Sequence, residues 1–405
     1  MSKDNLITGL DIGTGTIKML AAIPKSEGQG LEVVAQAQEP SFGVRKGIVI
    51  DVEKVARIIQ ILLDRVRTET NQKVNSVFVN IGGSHIFCTS SRGTVAVSRA
   101  DQKISEEDVN RVLQAAQTFS LPLNKEILEI FPKEFIVDGE GGIKEVVGMQ
   151  GVRLETEVIV LGGFSPYKKN LTQAVLDADL QILDIVSSPL ASATAVLSQR
   201  QKELGVALLD IGAGTSELAV FEEGDLIHLA IFPIGSANIT NDIAIGLKTD
   251  IDTAEVIKTE KGCCVFKGND KKEKIITSEE ESLVFSQRLL TRIIEARVAE
   301  IFNEVRKELK KISKQGLLSA GIVLTGGGAK LPKITDLAKK ELKLPCRIGK
   351  PLNFFGLEDE QIFATACGLV LRGIEEKSWS ATNLFPMTEG RLINKIKRLF
   401  RIFIP

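Results

Sequence analysis

A hexapeptide that combines an aspartate with two glycines occurs twice in this chain. It reads Asp-Ile-Gly-Thr-Gly-Thr at residues 11–16 and Asp-Ile-Gly-Ala-Gly-Thr at residues 210–215, so five of its six positions are identical. Each copy lies between two apolar runs, which predicts two strands joined by a tight glycine turn. Glycines in such a turn leave backbone N–H groups uncovered, and these form a concave site for phosphate oxygens. The aspartate is placed to hold the water shell of a Mg²⁺, which prefers carboxylate and phosphate oxygens.

One copy of this motif would be weak support for phosphate binding, because a lone glycine-rich hairpin is usually only a hairpin. Here the two aspartates, Asp11 and Asp210, lie 199 positions apart, and each ends an apolar run. A duplicated lobe accounts for this repetition. The repeat therefore predicts two related halves with phosphates held between them.

A third glycine-rich segment fits the same arrangement. Residues 321–329 are an apolar run that ends in three consecutive glycines, and a helix is expected from about Pro332. Adjacent glycines let the backbone approach a flat base or ribose closely. The P-loop pattern is missing, and no G-x-G-x-x-G follows a strand. We therefore expect a nucleotide between two hairpins and not at a helix N-terminus.

Composition limits the classes of protein that remain. The 405 residues suffice for two domains, and 43% hydrophobic and 25% charged residues are ordinary for a soluble globular protein. A net charge of −1 gives no general attraction to nucleic acid or to an acidic membrane, so we expect no nucleic-acid partner. Five cysteines without CxxC spacing indicate reduced thiols in a cytosolic protein, and two histidines give no hydrolase triad. A signal peptide and an apolar run of membrane-spanning length are also missing.

The first lobe is interrupted by a segment with a different pattern. Residues 1–83 predict a hairpin, a third strand, a helix and a returning strand, and residues 163–200 resume this lobe. Between them, residues 84–162 predict short strands around a helix that begins at Ser105. Asp108, three residues later, completes a capping box in place of the usual Glu or Gln. We expect an inserted α+β subdomain, and surface insertions of this size commonly bind a partner.

The second lobe opens at Gly205 and repeats the hairpin pattern. Helices are predicted over residues 249–261 and, with one long apolar side, over residues 282–312. Helices rich in small residues follow in both lobes, at residues 191–197 and from residue 364. They suit close packing or a sliding hinge, and an ordinary buried helix is the alternative. The duplication therefore extends beyond the hairpins.

The C-terminal segment, residues 389–405, has the pattern of a helix that lies in a membrane interface. Residues 375–388 before it are polar and aperiodic, as in a linker. Its apolar positions are Leu392, Ile393, Ile396, Leu399, Phe400 and Phe403, and its basic ones are Arg391, Lys395, Lys397, Arg398 and Arg401. As an α-helix, the 16 residues from Gly390 to Pro405 reach roughly 24 Å, which is too short to span a bilayer. An apolar face beside a basic one predicts binding to an anionic membrane surface, and docking on a protein is the alternative.

Taken together and in this order, these motifs resemble the FtsA family of bacterial cell-division proteins. That family belongs to the superfamily of actin, sugar kinases and DnaK-type chaperone ATPases. The resemblance runs from about Ile7 to the C-terminus. Its specific parts are the paired hexapeptides, residues 91–98, 105–109, 132–138 and 324–329, and the basic amphipathic terminus.

The resemblance implies an α/β fold of the duplicated ribonuclease-H-like or actin-like type, as in two-lobed ATPases. It also implies an inserted α+β subdomain and a C-terminal amphipathic helix. The implied divisions are residues 1–83 and 163–200 (core of lobe 1, 1A), 84–162 (inserted subdomain 1C), 201–227 and 311–374 (core of lobe 2, 2A), 228–310 (subdomain 2B), 375–388 (linker) and 389–405 (membrane-targeting helix).

It also implies that ATP and Mg²⁺ bind between the lobes. Asp11 would lie near the metal, through water, and Asp210 would close the other side of the site. The residues implied around the phosphates and adenosine are Gly13, Thr14, Gly15, Thr16, Lys18, Gly212, Ala213, Gly214, Thr215, Gly326, Gly327 and Gly328. Glu255 and Lys258, one helical turn apart, would reach the ribose and base.

One position limits the enzymatic activity to be expected. Filament-forming and sugar-kinase relatives carry Glu, Gln or Asp near the start of the first hinge helix, where it orients the attacking water. The matching place here is Ser188, just before Pro189. Serine is a poor general base, so we expect at most weak hydrolysis that depends on Asp210. ATP would then act mainly as a ligand for conformational change and polymerisation.

The partners implied by the family are FtsZ, the membrane and further copies of the chain. Members polymerise into actin-like filaments on the cytoplasmic face of the cell membrane at the division site and hold FtsZ there. The FtsZ C-terminal peptide would dock on subdomain 2B, where Arg297 matches a basic position. Later division proteins would be recruited through the inserted subdomain.

Three alternatives stay open on sequence alone. A sugar kinase would use the same clamp with a catalytic aspartate in its substrate cleft, but its substrate-loop signature is missing. A pilus-assembly scaffold of the PilM type shares the fold and a similar inserted domain, but it lacks the typical basic amphipathic terminus. Cell-shape proteins of the MreB type carry their membrane element at the N-terminus or in a loop, and have another subdomain in place of the insertion.

Overall fold

The computed structural model describes residues 6–25, 30–118, 121–266, 268–276, 282–314 and 316–382. The predicted membrane helix at residues 389–405, with all its apolar and basic positions, lies outside these ranges. Among the described residues, no helix has the length and apolar character needed to cross a membrane.

The secondary structure alternates between strands and helices along the chain. The strands are β1 (Ile7–Ile12), β2 (Thr16–Pro24), β3 (Leu31–Pro40), β4 (Val44–Arg45), β5 (Ile48–Val49), β6 (Ser76–Ile81), β7 (Phe87–Ala96), β8 (Lys125–Val137), β9 (Glu140–Ile143), β10 (Arg153–Phe164), β11 (Gln181–Ser187), β12 (Val206–Ile211), β13 (Ser216–Glu222), β14 (Asp225–Phe232), β15 (Lys272–Ile276), β16 (Ser282–Ser286), β17 (Ile322–Thr325), β18 (Cys346–Ile348) and β19 (Phe354–Phe355). The helices are α1 (Val52–Thr70), α2 (Glu106–Gln117), α3 (Ser165–Leu176), α4 (Ser188–Val196), α5 (Gln199–Leu204), α6 (Ser236–Leu247), α7 (Ile251–Lys261), α8 (Gln287–Lys311), α9 (Ile334–Leu342) and α10 (Ala364–Thr382), with a 3₁₀ turn at Gly327–Lys330.

The two large sheets are built on one plan, which confirms the duplicated α/β fold. The first has the order β11-β6-β1-β2-β3-β19 and the second the order β14-β13-β12-β17-β18. In the first, β1 pairs antiparallel with β2 and parallel with β6. In the second, β12 pairs antiparallel with β13 and parallel with β17. Each hexapeptide therefore forms the turn of an antiparallel hairpin beside a parallel strand.

Helices α4 and α10 are the two small-residue helices predicted from the sequence, and they pack directly on each other. A Cβ added at Gly368 of α10 would lie 1.8 Å from the backbone oxygen of Ala191 in α4. The backbones can approach this closely only because glycine has no side chain there. Both helices are largely buried, so their contact joins the lobes at the base of the cleft between them.

The inserted subdomain is a sheet of order β7-β10-β8-β9 covered by α2. Ser105 caps α2, and its side chain and that of Asp108 form the predicted capping box. Strand β7 of this sheet begins at Phe87. Its first half, Cys-Thr-Ser-Ser, is polar and mostly solvent-facing, so it has no apolar alternation that would reveal a strand.

Two predicted boundaries were wrong. The long helix of the second lobe begins at Gln287 and not at residue 282, because residues 282–286 pair with β15 as strand β16 and Ser286 then caps the helix. Helix α10 extends to Thr382 and so occupies part of the predicted linker at residues 375–388. The residues from Glu376 onward include neither glycine nor proline that would end a helix before Pro386.

Candidate functional site

A cleft of about 580 Å³ lies between the two lobes, a size typical of small-molecule sites. Both hairpin turns, β6, helix α7 and the turn after β17 contribute to its walls. The sequence-predicted residues that line it are Asp11, Gly13, Thr14, Gly15, Thr16, Lys18, Asp210, Gly212, Ala213, Gly214, Thr215, Glu255, Lys258, Gly326 and Gly327. The structure thus brings together motifs that are separated by more than three hundred residues.

The two hairpin turns touch each other across the cleft. A Cβ added at Gly15 would lie 2.8 Å from the Cβ of Ala213, and one added at Gly214 would lie 2.6 Å from Cγ2 of Thr14. The Oγ1 of Thr14 also accepts a hydrogen bond from the backbone N–H of Gly47 at 2.8 Å. Glycine is therefore needed at both turns for their mutual approach, in addition to the N–H groups it leaves uncovered.

The carboxylate of Asp11 is contacted by the ammonium group of Lys18 and the amide of Asn80, both from its own lobe. Lys18 Nζ donates to Asp11 Oδ2 at 3.0 Å, and Asn80 Nδ2 donates to Asp11 Oδ1 at 2.8 Å. The same amide nitrogen donates to Ser188 Oγ at 3.0 Å, while Oδ1 of Asn80 accepts from the backbone N–H of Ile12 at 2.7 Å. These contacts fix the orientation of the carboxylate at the end of β1.

Asp210 is held by hydroxyl groups from the two small-residue helices. Ser192 of α4 donates to Asp210 Oδ2 at 2.6 Å, and Thr365 of α10 lies 3.5 Å from the same oxygen. Burial raises the pKa of Asp210, the hydrogen bond from Ser192 lowers it, and the charge of Asp11 raises it further. A Cβ added at Gly326 would lie only 2.2 Å from Asp210 Oδ1, so the glycine turn after β17 closes this side of the carboxylate.

Glu217 is a buried carboxylate in the cleft that the sequence analysis missed. It lies on β13 directly opposite Asp210 and is 7% exposed. Burial, followed by the charges of Asp210 and Asp11, raises its pKa well above the usual value. Thr215 Oγ1 donates to its Oε1 at 3.3 Å. The available signal was its spacing, since it follows Asp210 by seven residues as Lys18 follows Asp11.

Glu255 and Lys258 form an ion pair on one face of α7. Lys258 Nζ lies 2.6 Å from Glu255 Oε2, 2.8 Å from Thr240 Oγ1 and 3.4 Å from the backbone oxygen of Ser236. The lysine is buried and the glutamate side chain is half exposed toward the cleft. The pair thus presents a carboxylate and an ammonium group in fixed positions at one wall.

The glycine turn after β17 divides into two parts. Gly326 and Gly327 line the cleft, but Gly328 packs on the other side, where an added Cβ would lie 2.4 Å from Cγ2 of Ile211. Ser188 also lines the cleft. The lining residues that were not predicted as site residues from the sequence include Gln38, Gly47, Asn80, Gly82, Glu217, Ser236, Ala237, Lys330, Asp359, Ile362 and Thr365.

Arg297, the predicted partner-binding residue, lies on α8 and not at the cleft. Its guanidinium makes a bidentate contact with Asp242 of α6, at 2.6 and 2.9 Å, and also contacts Glu300. These acids raise the pKa of Arg297. The side chain is about a quarter exposed, so a ligand at this surface would meet an arginine that is already paired.

The pair of hairpin sheets, the crossing helices and the cleft between the lobes define the actin-like class of two-lobed proteins. Among solved structures, the chain is similar to the one described as the PilM-PilN type IV pilus biogenesis complex, with a TM-score of 0.64 and 18% identity over 91% of this chain and 98% of the other. It is also similar to MreB5 of Spiroplasma citri bound to ADP, with a TM-score of 0.56 and 14% identity over 94% and 99%. At these identities the similarity supports the fold alone.

The chain belongs to the FtsA family of cell-division proteins. A model of that family, "Cell division protein FtsA", matches residues 207–368, and the model "SHS2 domain inserted in FTSA" matches residues 83–161. The cell division protein FtsA of Pseudomonas aeruginosa is 36% identical over 92% of this chain and 90% of its own length. That of Bacillus subtilis is 35% identical over 91% and 84%. Membership confirms the resemblance drawn from the motifs and favours a division protein over a pilus scaffold or a sugar kinase.

Proposed function

We propose that this protein binds ATP with Mg²⁺ in the cleft between its lobes and uses the nucleotide to control its assembly on the cytoplasmic face of the membrane. The observation that carries the proposal is the pair of hairpin turns that meet across the cleft, each with an aspartate at the end of its first strand. Backbone N–H groups of both turns are available to phosphate oxygens. The cleft volume of about 580 Å³ suits a nucleotide.

The residues in the cleft fit a nucleotide with its metal. Asp11 and Asp210 are 6% and 9% exposed and line the cleft, so their oxygens suit a hydrated Mg²⁺. The metal, when bound, would neutralise phosphate charge. Lys18 would pair with the phosphates, and Gly326 and Gly327 would let the adenosine lie flat against the backbone.

Two further parts of the proposal are the contacts with the ribose and base and the rate of hydrolysis. Glu255 and Lys258 are spaced to accept from and donate to the ribose and base. Gly328 is left without a direct role at the nucleotide in this arrangement, because it packs against Ile211. Hydrolysis would be weak, because Ser188 occupies the place of the acid found in relatives, and it would depend on Asp210.

We further propose that the C-terminal segment at residues 389–405 binds anionic lipid and tethers an FtsZ ring to the membrane. The support is its sequence pattern, in which an apolar face lies beside a basic one. Because the net charge of the whole chain is only −1, attraction to an anionic surface has to come from a local basic segment such as this one. The protein would be peripheral and lie at the division site. It would form actin-like filaments with further copies of the chain.

Co-sedimentation with anionic vesicles, with and without ATP and Mg²⁺, tests the membrane proposal. The full chain should pellet with the vesicles, and a chain that ends at Thr388 should stay in the supernatant. Neutral vesicles are the matched control, since they remove the electrostatic attraction. Equal pelleting of both chains would show that the C-terminal segment is not the membrane element. Nucleotide titration of both chains in the same samples tests the cleft separately.

The FtsZ proposal concerns subdomain 2B and Arg297. A peptide with an acidic group would have to compete with Asp242 for the guanidinium. Fluorescence anisotropy with a labelled FtsZ C-terminal peptide should show weaker binding for Arg297→Ala than for Arg292→Ala, an exposed position on the same helix. Equal affinities would remove Arg297 from the interface.

Later division proteins would bind the inserted subdomain. Deletion of residues 84–162 should therefore abolish their recruitment and leave binding of the FtsZ peptide intact.

A further inference from the structure

The inserted subdomain is connected by its chain to the first lobe, but it also contacts the second lobe. The chain enters the subdomain after β6 and returns to the first lobe at α3. In the folded protein, β14 of the second lobe contacts three strands of the subdomain, β7, β8 and β10. Among the described residues, those that line the cleft include none from this subdomain or from β14. The subdomain therefore bridges the two lobes at a place outside the cleft.

The contact with β14 is apolar and continuous with the core of the molecule. Alternate residues of β10 point to opposite faces of its sheet. Val158 and Val160 belong to the subdomain's own core, which α2 covers. Ile159 and Leu161 belong to the same buried cluster as Leu229 of β14. Such apolar contact holds two parts together, but it is non-directional and does not by itself fix how they are arranged.

An ion pair adds direction to this contact. Lys144, directly after β9, donates to the carboxylate of Asp225 at the start of β14. The Asp225 side chain is 5% exposed and that of Lys144 is 39% exposed. Burial raises the pKa of Asp225, and the hydrogen bond from Lys144 lowers it. Lys144 Nζ also donates to the backbone oxygen of Lys133 at 3.1 Å, so the ammonium group is held against β8.

A buried arginine holds the same subdomain to the first lobe. Arg372 of α10 lies 3.1 Å from Glu129 of β8 and 3.1 Å from Asp184 of β11. These three side chains are at most 13% exposed. Helix α10 packs on β1, β2 and β6 of the first sheet, so the cluster fixes β8 to the first lobe. Because Lys144 is far more exposed than Arg372, its pair is the contact that water can separate at lower cost.

We propose that the inserted subdomain is a strap across the two lobes and that the Lys144–Asp225 pair is its releasable end. A contact stabilises the arrangement in which it is formed. Here the pair is formed while the two hairpin turns touch across the cleft, where a Cβ added at Gly15 would lie 2.8 Å from that of Ala213. The strap therefore favours the arrangement with touching turns, and release of the pair lets the lobes part.

Reversal of the two charges tests the strap. Lys144→Glu and Asp225→Lys each place like charges at the junction, and the double variant restores an ion pair with the charges exchanged. Lys133→Glu is the matched control, because it breaks the pair with Glu157 inside the subdomain at a lysine of similar exposure. Lys144→Gln removes the charge without reversing it, so it should change the same measurements in the same direction and by less.

The first measurement is the distance between the lobes in the full chain without nucleotide. Spin labels are introduced as unnatural amino acids at Lys46 and Val256, two exposed positions beside residues that line opposite walls of the cleft. Electron double resonance should show longer distances in each single variant and the wild-type distances in the double variant and the control. The second measurement is dissociation of a fluorescent ATP analogue with Mg²⁺, which should be about 10-fold faster in each single variant and normal in the double variant.

The outcomes separate the strap from the proposed binding of ATP. Absence of ATP binding by the wild type would contradict the proposed function, and the distance measurement would still decide on the strap. Wild-type distances in Lys144→Glu and Lys144→Gln would overturn the strap, whatever the nucleotide does. So would a double variant as altered as the single ones, because the change would then not come from the pair. An equal change in Lys133→Glu would assign the effect to the subdomain's own stability and overturn the inference as well.

Discussion

The two hairpins that wall the cleft have nearly the same sequence, but their aspartates are held in different ways. Asp11 is neutralised by Lys18 of its own hairpin and oriented by Asn80 of the neighbouring strand. Asp210 has no such cation in the second hairpin and is held by the hydroxyls of Ser192 and Thr365 instead. The first aspartate therefore depends on its own lobe, and the second depends on the crossing helices α4 and α10.

This difference lies in side chains that are carried on one shared backbone plan. The backbone plan is the same in both halves, so both turns offer N–H groups to phosphates. In the first hairpin a lysine pairs with the aspartate, and in the second hairpin hydroxyl groups of α4 and α10 contact it. A shift of α4 against α10 would move Ser192 relative to Thr365, and so would alter the contacts of Asp210 directly. Asp11 is linked to α4 through the hydrogen bonds of Asn80 with Asp11 and Ser188.

The largest effect is expected from Lys18→Met, which removes the cation from the first hairpin. The buried carboxylate of Asp11 would lose its partner, so the free energy of unfolding should fall by about 3 kcal/mol. ATP should bind about 10- to 100-fold more weakly, because a charged hydrogen bond to phosphate is lost. Chemical denaturation and nucleotide titration measure both. Lys54→Met, which breaks an exposed ion pair with Asp51, should change stability by less than about 1 kcal/mol.

The contact between the crossing helices should be nearly as sensitive. In Gly368→Ala the new methyl would lie 1.8 Å from the backbone oxygen of Ala191, and backbone cannot rotate away as a side chain can. We expect a loss of about 2 kcal/mol in the free energy of unfolding. Gly373→Ala on the same helix meets the ends of the Ile7 and Phe78 side chains, so it should cost less. Equal losses would mean that the helices are free to separate at Gly368.

Ser192→Ala tests whether the second aspartate depends on its contact with α4. The variant removes the 2.6 Å hydrogen bond to Asp210 but leaves Thr365, so we expect a loss of about 1 kcal/mol in the free energy of unfolding. Thr194→Ala is the control, since its hydroxyl is on the exposed side of the same helix and bonds to the Leu190 backbone. In the background of Asp210→Asn the effect of Ser192→Ala should shrink. An undiminished effect would place its origin in helix packing.

Much of the fold could be predicted from the sequence because the signals were local. The two hexapeptides predicted the hairpins, and the change of periodicity predicted the inserted subdomain. Ser105 and Asp108 predicted the start of α2, as the structure confirms. Errors arose where local signals conflicted with pairing. Residues 282–286 continued an apolar helical pattern but form a strand, because β15 is available as a partner.

The missed site residues depend on distant neighbours. Asn80 is one polar residue in an apolar strand, and its role follows only from its position beside Asp11 and Ser188. Ser192 and Thr365 were seen as small residues of buried helices, but their hydroxyls meet at Asp210 only after the helices cross. Such contacts link residues up to 173 positions apart, and no spacing in the sequence reveals them.

The smallest effect is a dependence on pH that belongs to the second hairpin. Burial raises the pKa of Glu217 well above 4.5, and the charge of Asp210 raises it further. A carboxyl with a higher pKa in the folded state gives its full contribution to stability below the unfolded-state pKa and loses it as the pH rises through the folded-state pKa. The amide in Glu217→Gln does not titrate. The gain in unfolding free energy of this variant over wild type should therefore be smallest near pH 4.5 and grow as the pH rises.

Denaturation curves at a series of pH values measure this difference, without nucleotide or metal. Glu217→Asp keeps a titrating carboxyl opposite Asp210, so its stability should follow the pH dependence of the wild type. If Glu217→Gln follows that dependence as well, the two carboxylates do not repel each other in the folded protein. The contrast between the hairpins would then lie in hydrogen bonding to the crossing helices and not in charge. A growing gap would instead show that burial, followed by the charges of Asp210 and Asp11, disfavours the ionised form of Glu217 in the folded protein.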